Sequence, residues 1–314
     1  MIARWLGAAA ALPLLTAVPA PAVAWGPAGH RIVAAIAMDR LRAVSPATAR
    51  AVTRILGTTT IAAAAVWPDT LRADPQRAYT LPWHFVDIPT TADHYDPLRD
   101  CKLQAGRPAC ALGRDPTCGD CIVAEMERCE RDLRNPHTSA NKRREALMFL
   151  VHFVGDLHQP LHCADDHGDH GGNTKLVCLF RHCWDTYGQN IGKNYTLHAA
   201  WDSYMIAHQE VTEHLDERHY AERLERTIAQ LSPAAIAERE RGTFVAWAEQ
   251  SHQKAVMHAY KLPPRVKRRN PYDRVSRLYY PIGEAYFDES IAVIDDQLIN
   301  AGIRLAKVLR GMLE

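Results

Sequence analysis

From His30 onward the apolar residues Val33, Ile36, Ala37 and Leu41 recur at spacings of three, one and four, which puts them on one face of a helix. Ser45-Pro46 predicts the start of a second helix, because serine caps helices and proline suits the first turn. Residues 139–158 form the clearest internal helix, with Leu147, Leu150, Val151 and Val154 as its buried stripe. The C-terminal segment repeats the pattern with Ile291, Ile294, Leu298, Leu305, Val308 and Met312. Strand-like alternation is scarce, and Thr174 to Phe180 is the best candidate for one arm of a short hairpin. No internal repeat is apparent. The pattern therefore predicts a single all-α domain of many helices, with polar, cysteine-bearing loops at 89–118 and 163–196.

The first 24 residues fall outside that pattern. Arg4 is a minimal positive region, Trp5 to Val18 is an apolar stretch too short to span a bilayer, and Ala22-Val23-Ala24 matches a signal-peptidase site. We therefore expect a signal peptide over 1–24, cleavage between Ala24 and Trp25, and a secreted or periplasmic domain over 25–314. Export makes the eight cysteines (Cys101, Cys110, Cys118, Cys121, Cys129, Cys163, Cys178 and Cys183) read as up to four disulfides, with zinc or redox chemistry at Cys118-x-x-Cys121 as the lesser reading. Apolar residues are 47% and charged residues 23% of the 314, which excludes a disordered or low-complexity chain. Lys plus Arg number 37 and Asp plus Glu 36, so no global basic field draws in nucleic acid or an anionic membrane.

Sixteen histidines are the unusual component. His152 and Asp156 stand at i and i+4 in the central helix, and His198 and Asp202 repeat the spacing, so each pair projects from one side of a helix. One such pair is an ordinary helix contact; two of them, with His162 following in His158-Gln-Pro-Leu-His162, point to zinc, which imidazole and carboxylate together suit.

The ordered set Trp25-Gly-Pro-Ala-Gly-His30, Trp67-Pro-Asp69, Trp83-His84-Phe, His152-Phe-Val-Gly-Asp156-Leu-His-Gln-Pro-Leu-His162, Gly171-Gly-Asn173 and Leu197-His-Ala-Ala-Trp-Asp202 resembles the S1/P1 nuclease family, across essentially the whole chain from Trp25. The resemblance implies an all-α fold of the phospholipase C/P1 nuclease type, with disulfide-stapled loops, at most a small β-hairpin, and three Zn²⁺ ions. By motif position Asp69, His84 and His152 would hold one ion and His162, His198 and Asp202 a second. Asp156 would bridge from the first to a third held by the amine and carbonyl of Trp25 and by His30. Five histidines, three aspartates and one amino terminus are too few donors to close three tetrahedral sites, and open positions mark catalytic zinc.

Three zinc ions less three carboxylates leave a net of about +3 in one cleft, which explains how a neutral chain could hold a polyanion. The resemblance implies hydrolysis of single-stranded RNA and DNA to 5′-phosphate ends, with 3′-nucleotides as further substrates, by a monomer without an obligate protein partner. Asp156, Asp87 and Arg72 match catalytic positions, with Asp87 placed to orient Arg72 or the attacking water, and Asn173 and Asp87 match substrate-binding ones. After Asp87 the chain reads Ile-Pro-Thr-Thr-Ala and lacks the acidic and lysine residues of the fungal members. Tyr187, Tyr195 and Tyr204 are available to stack bases. The competing functions are a zinc-dependent phospholipase C and a non-catalytic periplasmic zinc-binding protein. Against the first, such enzymes usually place Glu where this chain has Asp202.

Three other segments carry weaker signals. Asp165-Asp-His-Gly-Asp-His170 reads as a solvated loop before it reads as an extra metal site. Lys261 to Arg277, with seven basic residues and one acidic, reads as an exposed Pro-rich connector before it reads as a guide for a nucleic-acid backbone. Asn194-Tyr-Thr196 is a glycosylation sequon, meaningful only in a eukaryotic source.

Overall fold

The computed structural model describes residues 25–103, 118–186 and 190–314. Helices dominate. The first six are α1 (Pro27–Val44), α2 (Pro46–Leu56), α3 (Ile61–Thr70), α4 (Pro97–Asp100), α5 (Ile122–Arg134) and α6 (Ala140–Leu157). The chain continues through α7 (Leu197–Ala199), a π-helical turn at Ala200–Tyr204, and α8 (Met205–Glu213). Then come α9 (Glu217–Ala229), α10 (Pro233–Glu240), α11 (Phe244–Lys254) and the 30-residue α12 (Glu284–Leu313).

The all-α expectation holds, and its clearest helix starts where expected: the Ser139 side chain caps α6 by accepting the Lys142 N–H. The predicted buried stripe is too narrow, however. Every residue of α6 from Ala146 to Leu157 is buried, because α1, α2, α3, α5 and α12 close around the helix on all sides. The polar pair His152 and Asp156 is thereby taken fully out of water on the bundle's central rod. Ser45 precedes α2 as expected but does not cap it with its side chain. Its hydroxyl instead lies 2.8 Å from Thr48 Oγ1 and donates to Glu314 Oε1 at 2.6 Å, tying α2 to the end of α12.

The strands differ from expectation in a physically informative way. β1 (Val177–Leu179) lies in the anticipated segment, but it pairs in parallel with β3 (Ser276–Ile282), just over a hundred residues away, and only isolated bridges join it to 182–196. The true hairpin is formed by β2 (Val266–Arg269) and β3, inside the basic segment that reads as a connector. Sheet order is β1-β3-β2.

Cys101 bonds Cys121, and Cys178 bonds Cys183. Cys118 is disulfide-bonded as well. The pairing of Cys121 with Cys101 rules out a zinc or redox role for Cys118-x-x-Cys121. Cys129 and Cys163 are buried free thiols, so the four-bridge maximum is not reached. Residues 1–24, Cys110 and Tyr187 lie outside the described residues. Among the described residues no helix is long and apolar enough to cross a membrane.

Candidate metal centre

Six elements deliver the candidate ligands to one place. α1 supplies His30 from its first turns, α3 supplies Asp69 near its C-terminal end, and a 3-10 turn (Ala78–His84) supplies His84. α6 contributes His152 and Asp156, the following 3-10 turn (Pro160–Cys163) contributes His162, and α7 with its π-turn contributes His198 and Asp202. Asp202 is thus presented from a π-helical turn, where the i, i+4 spacing had implied a regular helix. Its side chain still meets His198, with Nε2 3.1 Å from Oδ2.

Asp156 is the hub. Its Oδ1 lies 3.2 Å from His30 Nε2, and its Oδ2 lies 3.0 Å from both His84 Nδ1 and His152 Nε2. Asp69 Oδ1 stands 3.8 Å from His84 Nδ1 and 3.6 Å from His152 Nε2. On the other side His162 Nδ1 is 3.8 Å from Asp156 Oδ1, while its Nε2 is 3.6 Å from Asp202 Oδ1. These atoms form three groups with the spacing of metal ligands: His30, Asp69 and His152; His84, His152 and Asp156; His162, His198 and Asp202. Trp25 is fully buried just before α1, and the next residue's amide donates to Asp202 O at 2.7 Å.

The cluster has the chemistry of a cation site. His152 Nδ1–H donates to Ala65 O, His162 Nδ1–H to His84 O and His198 Nδ1–H to Gly171 O, at 2.7 to 2.8 Å, so all three rings present Nε2 inward. His30 Nδ1 and Nε2, both Asp69 oxygens, His84 Nε2, Asp156 Oδ1, His162 Nε2 and Asp202 Oδ2 are buried without a hydrogen-bond partner. Such a concentration of unsatisfied buried groups is costly unless a ligand completes it. Burial pushes Asp156 and Asp202 toward neutrality, but the surrounding histidines win. They hold Asp156 well below the carboxylate range and Asp202 at about 2. His84 is driven down to about 3 by burial and then by Arg72, so it stays neutral as a metal ligand must.

A family model described as S1/P1 Nuclease matches residues 25–314. The chain belongs to the S1/P1 nuclease family. It is 29% identical over 302 residues to Endonuclease 3 of Arabidopsis thaliana, covering 94% of this chain and 91% of that one. It is 27% identical over 295 residues to Endonuclease 4 of the same plant, covering 92% and 89%. Nuclease P1 of Penicillium citrinum is 32% identical over 187 residues, 58% of each chain. Family membership makes this protein a metal-dependent phosphodiesterase of the endonuclease type.

In this S1/P1 nuclease His84, His162 and His198 line a cleft of about 440 Å³. Arg72, Asp87 and Asn173 all line it. Arg72 Nη2 lies 3.1 Å from Asp69 Oδ1, and Asn173 Nδ2 donates to His170 O at 2.8 Å. Burial, with Asp165 next in importance, pushes the Asp87 carboxyl up to about 6. Tyr204 also lines the cleft, with Tyr195 packed 4.5 Å from it ring to ring.

Several contributors were not singled out from sequence. Gln159 donates from Nε2 to Asp202 Oδ1 and accepts the Leu161 N–H at 2.5 Å, so it orients the ligand. Gly155 allows His30 to approach, since a Cβ there would sit 2.7 Å from His30 Nδ1. Gly171 has a φ of +64°, and a Cβ on it would meet Leu161 O at 2.3 Å. Lys193 forms part of the cleft wall, as do Asn194 and Thr196, which the sequence marked only as a sequon. Gln159, Gly155 and Gly171 all stand inside the recognised motifs, but only contacts reveal their roles.

The carboxylates of the segment at 165–170 are held by bonds within the loop and by Lys175. Asp165 accepts N–H bonds from Gly168 and His170 at 2.6 and 2.9 Å, and Lys175 Nζ lies 2.8 Å from Asp166 and 3.2 Å from Asp169. It is a bonded loop, and the extra-metal reading is dropped. Asn194 Oδ1 accepts from Tyr279 and Asn270, so the sequon asparagine is built into the fold.

Proposed function

We propose that the chain is a secreted or periplasmic, monomeric zinc endonuclease, matured by cleavage between Ala24 and Trp25. It hydrolyses single-stranded RNA and DNA to 5′-phosphate products and also removes phosphate from 3′-nucleotides. The observation carrying this reading is the convergence of eight side chains, seven of them buried, in three ligand groups, with six of the eight holding buried atoms without a hydrogen-bond partner. His30, Asp69, His84, His152, Asp156, His162, His198 and Asp202, with the amine and carbonyl of Trp25, would hold three zinc ions. Zinc bound there supplies Lewis acidity and concentrated positive charge.

The chain's own groups then have distinct tasks. Arg72 is placed to bind a phosphate oxygen at the cleft wall while its contact with Asp69 fixes its direction. Asp87 faces the same space with a carboxyl near pH 6, suited to holding or accepting a proton. Asn173 offers an amide to the substrate. A recessed centre admits a strand that can bend and unstack its bases, which a duplex does at a cost.

The test is to incubate zinc-loaded protein with single-stranded RNA, a 3′-mononucleotide and phosphatidylcholine and to identify the products. Release of 5′-phosphate-ended fragments supports the reading. Phosphocholine release, or no product with zinc fully bound, overturns it.

A further inference from the structure

The β2–β3 hairpin takes no part in the metal centre, yet with the stretch from Lys261 that leads into it, it forms a strongly basic segment, with seven basic residues and one acidic over 261–277. Lys261, Arg265, Lys267, Arg268, Arg269 and Arg274 are exposed. Among the described residues the segment's sole ion pair is Arg277 Nη2 with Asp273 Oδ2, at 2.6 Å. The ladder places Arg268 directly opposite Arg277. Like charges facing each other across two strands destabilise a hairpin, so folding alone gives no reason for this arrangement.

The hairpin is also fastened to the cleft. Asn270 Nδ2 donates to Gly192 O at 2.7 Å and to Asn194 Oδ1 at 3.0 Å, and the Tyr279 hydroxyl donates to the same Asn194 oxygen at 2.6 Å. Lys193 and Asn194 are cleft-lining residues, so the basic strands stand on the cleft's rim. At the turn Tyr272 is 49% exposed and rests on Gly192, where a Cβ would lie 2.7 Å from the tyrosine Cβ. A ring held against backbone and open on its other side is a platform for a base.

From these observations we propose that the hairpin is a second binding surface, which grips the sugar-phosphate backbone of a single strand beyond the nucleotides inside the cleft. This rests on the nuclease reading and adds to it a means of favouring polymers over mononucleotides. Lys267 and Arg269, two positions apart on one face of β2, can follow successive phosphates along a strand, and the exposed tyrosine supplies sequence-tolerant stacking. An anionic membrane is the competing partner. The fastening to the cleft rim favours the strand.

The experiment compares wild type with Lys267→Gln/Arg269→Gln/Arg274→Gln and with the charge-conserving Arg269→Lys/Arg274→Lys. Binding of a fluorescent phosphorothioate single-stranded DNA is measured by anisotropy across a salt series on zinc-loaded protein. The neutralised variant should bind about tenfold more weakly, with a salt slope shallower by about 2, roughly 0.7 for each lost phosphate contact on a single strand. Its KM for single-stranded RNA should rise with kcat unchanged, while 3′-mononucleotide hydrolysis stays at the wild-type rate and the Lys variant behaves as wild type. Unchanged binding and slope would overturn the proposal, as would a loss shared by the charge-conserving variant. Weakened binding to anionic phospholipid vesicles with strand binding intact would overturn it in favour of the membrane. If no variant hydrolyses either substrate, the nuclease reading fails on its own, and the binding arm still decides the hairpin.

Discussion

His158 and its neighbours His152 and His162 belong to one eleven-residue motif and are all buried, but the structure uses them in opposite ways. Both ring nitrogens of His158 are satisfied: Nδ1–H donates to Val154 O at 2.7 Å, and Nε2 accepts from Arg304 Nη1 at 2.8 Å. His152 and His162 bond a carbonyl through Nδ1 and turn Nε2 toward carboxylates, with His152 Nε2 also 2.9 Å from His84 Nδ1. His158 is therefore a structural link to α12, and the other two are candidate ligands. The lesson is that burial does not mark a metal ligand, whereas a buried nitrogen aimed at carboxylates does.

The strongest way to break this contrast is at its centre. Asp156→Asn keeps the shape of the hub and removes the charge that three histidines share. Loss of at least one zinc and a fall in phosphodiester turnover of at least about 10²-fold are expected, on the scale of removing a key electrostatic group. Zinc per chain and single-strand cleavage are the measurements. Full zinc with near-normal turnover would show that the contrast has no chemical meaning.

A second large effect is expected at Trp25. An extra residue before it makes its nitrogen an amide, whose lone pair is delocalised and cannot bind zinc, whereas the free α-amine can. Protein starting at Trp25 should carry close to three zinc ions by this reading, and protein starting Ala-Trp25 about two, with strongly impaired cleavage. Equal zinc in the two forms would reduce Trp25 to a packed aromatic.

The clustering of the candidate residues was legible in the sequence because i, i+4 spacing sets a shared helix side, which survives even the π-turn at Asp202, and the order of the motifs supplied the rest. The environment was not legible. Nothing in Leu147, Leu150, Val151 and Val154 announces that α6 is enclosed on every side, because that depends on which distant helices pack there. The parallel pairing of β1 with β3 joins residues just over a hundred apart, as Val177 with Tyr280, beyond the reach of local alternation. Basic composition concealed the hairpin, since Arg and Lys report solvent exposure rather than backbone pairing. Ser45 had the right position for a cap, but its hydroxyl is turned to Thr48 and to the Glu314 carboxylate, to which it donates, and it accepts no backbone N–H of α2.

Gly155 sharpens the contrast at an intermediate scale. In an ordinary helix interior, Gly→Ala gains about 1 kcal/mol. Here the added methyl would meet His30 Nδ1 at 2.7 Å and push that ring from Asp156. Gly155→Ala should therefore lower zinc affinity and turnover by about 10-fold, the scale of losing a group that orients a ligand. Zinc titration decides between this and a variant that is merely more stable.

The smallest effect on activity is expected at His158, where the effect on stability is the informative one. Glutamine can still accept from Arg304, so His158→Gln should keep wild-type zinc per chain and lose about 1–3 kcal/mol of stability, the cost of imperfectly satisfying a buried polar partner. The pH dependence separates the roles further. Burial, and then the Arg304 charge, hold the His158 ring at about 3, while an unfolded chain takes up that proton near 6.5. The stability this ring contributes is thus fully present above about pH 6.5 and drains away as pH falls toward 3, at about 1.4 kcal/mol per pH unit. Urea unfolding of metal-stripped protein from neutral pH downward should give a shallower loss for His158→Gln than for wild type, by about one proton's slope. Parallel curves would mean that His158 titrates normally and that its bond to Arg304 is not what keeps it out of the metal centre.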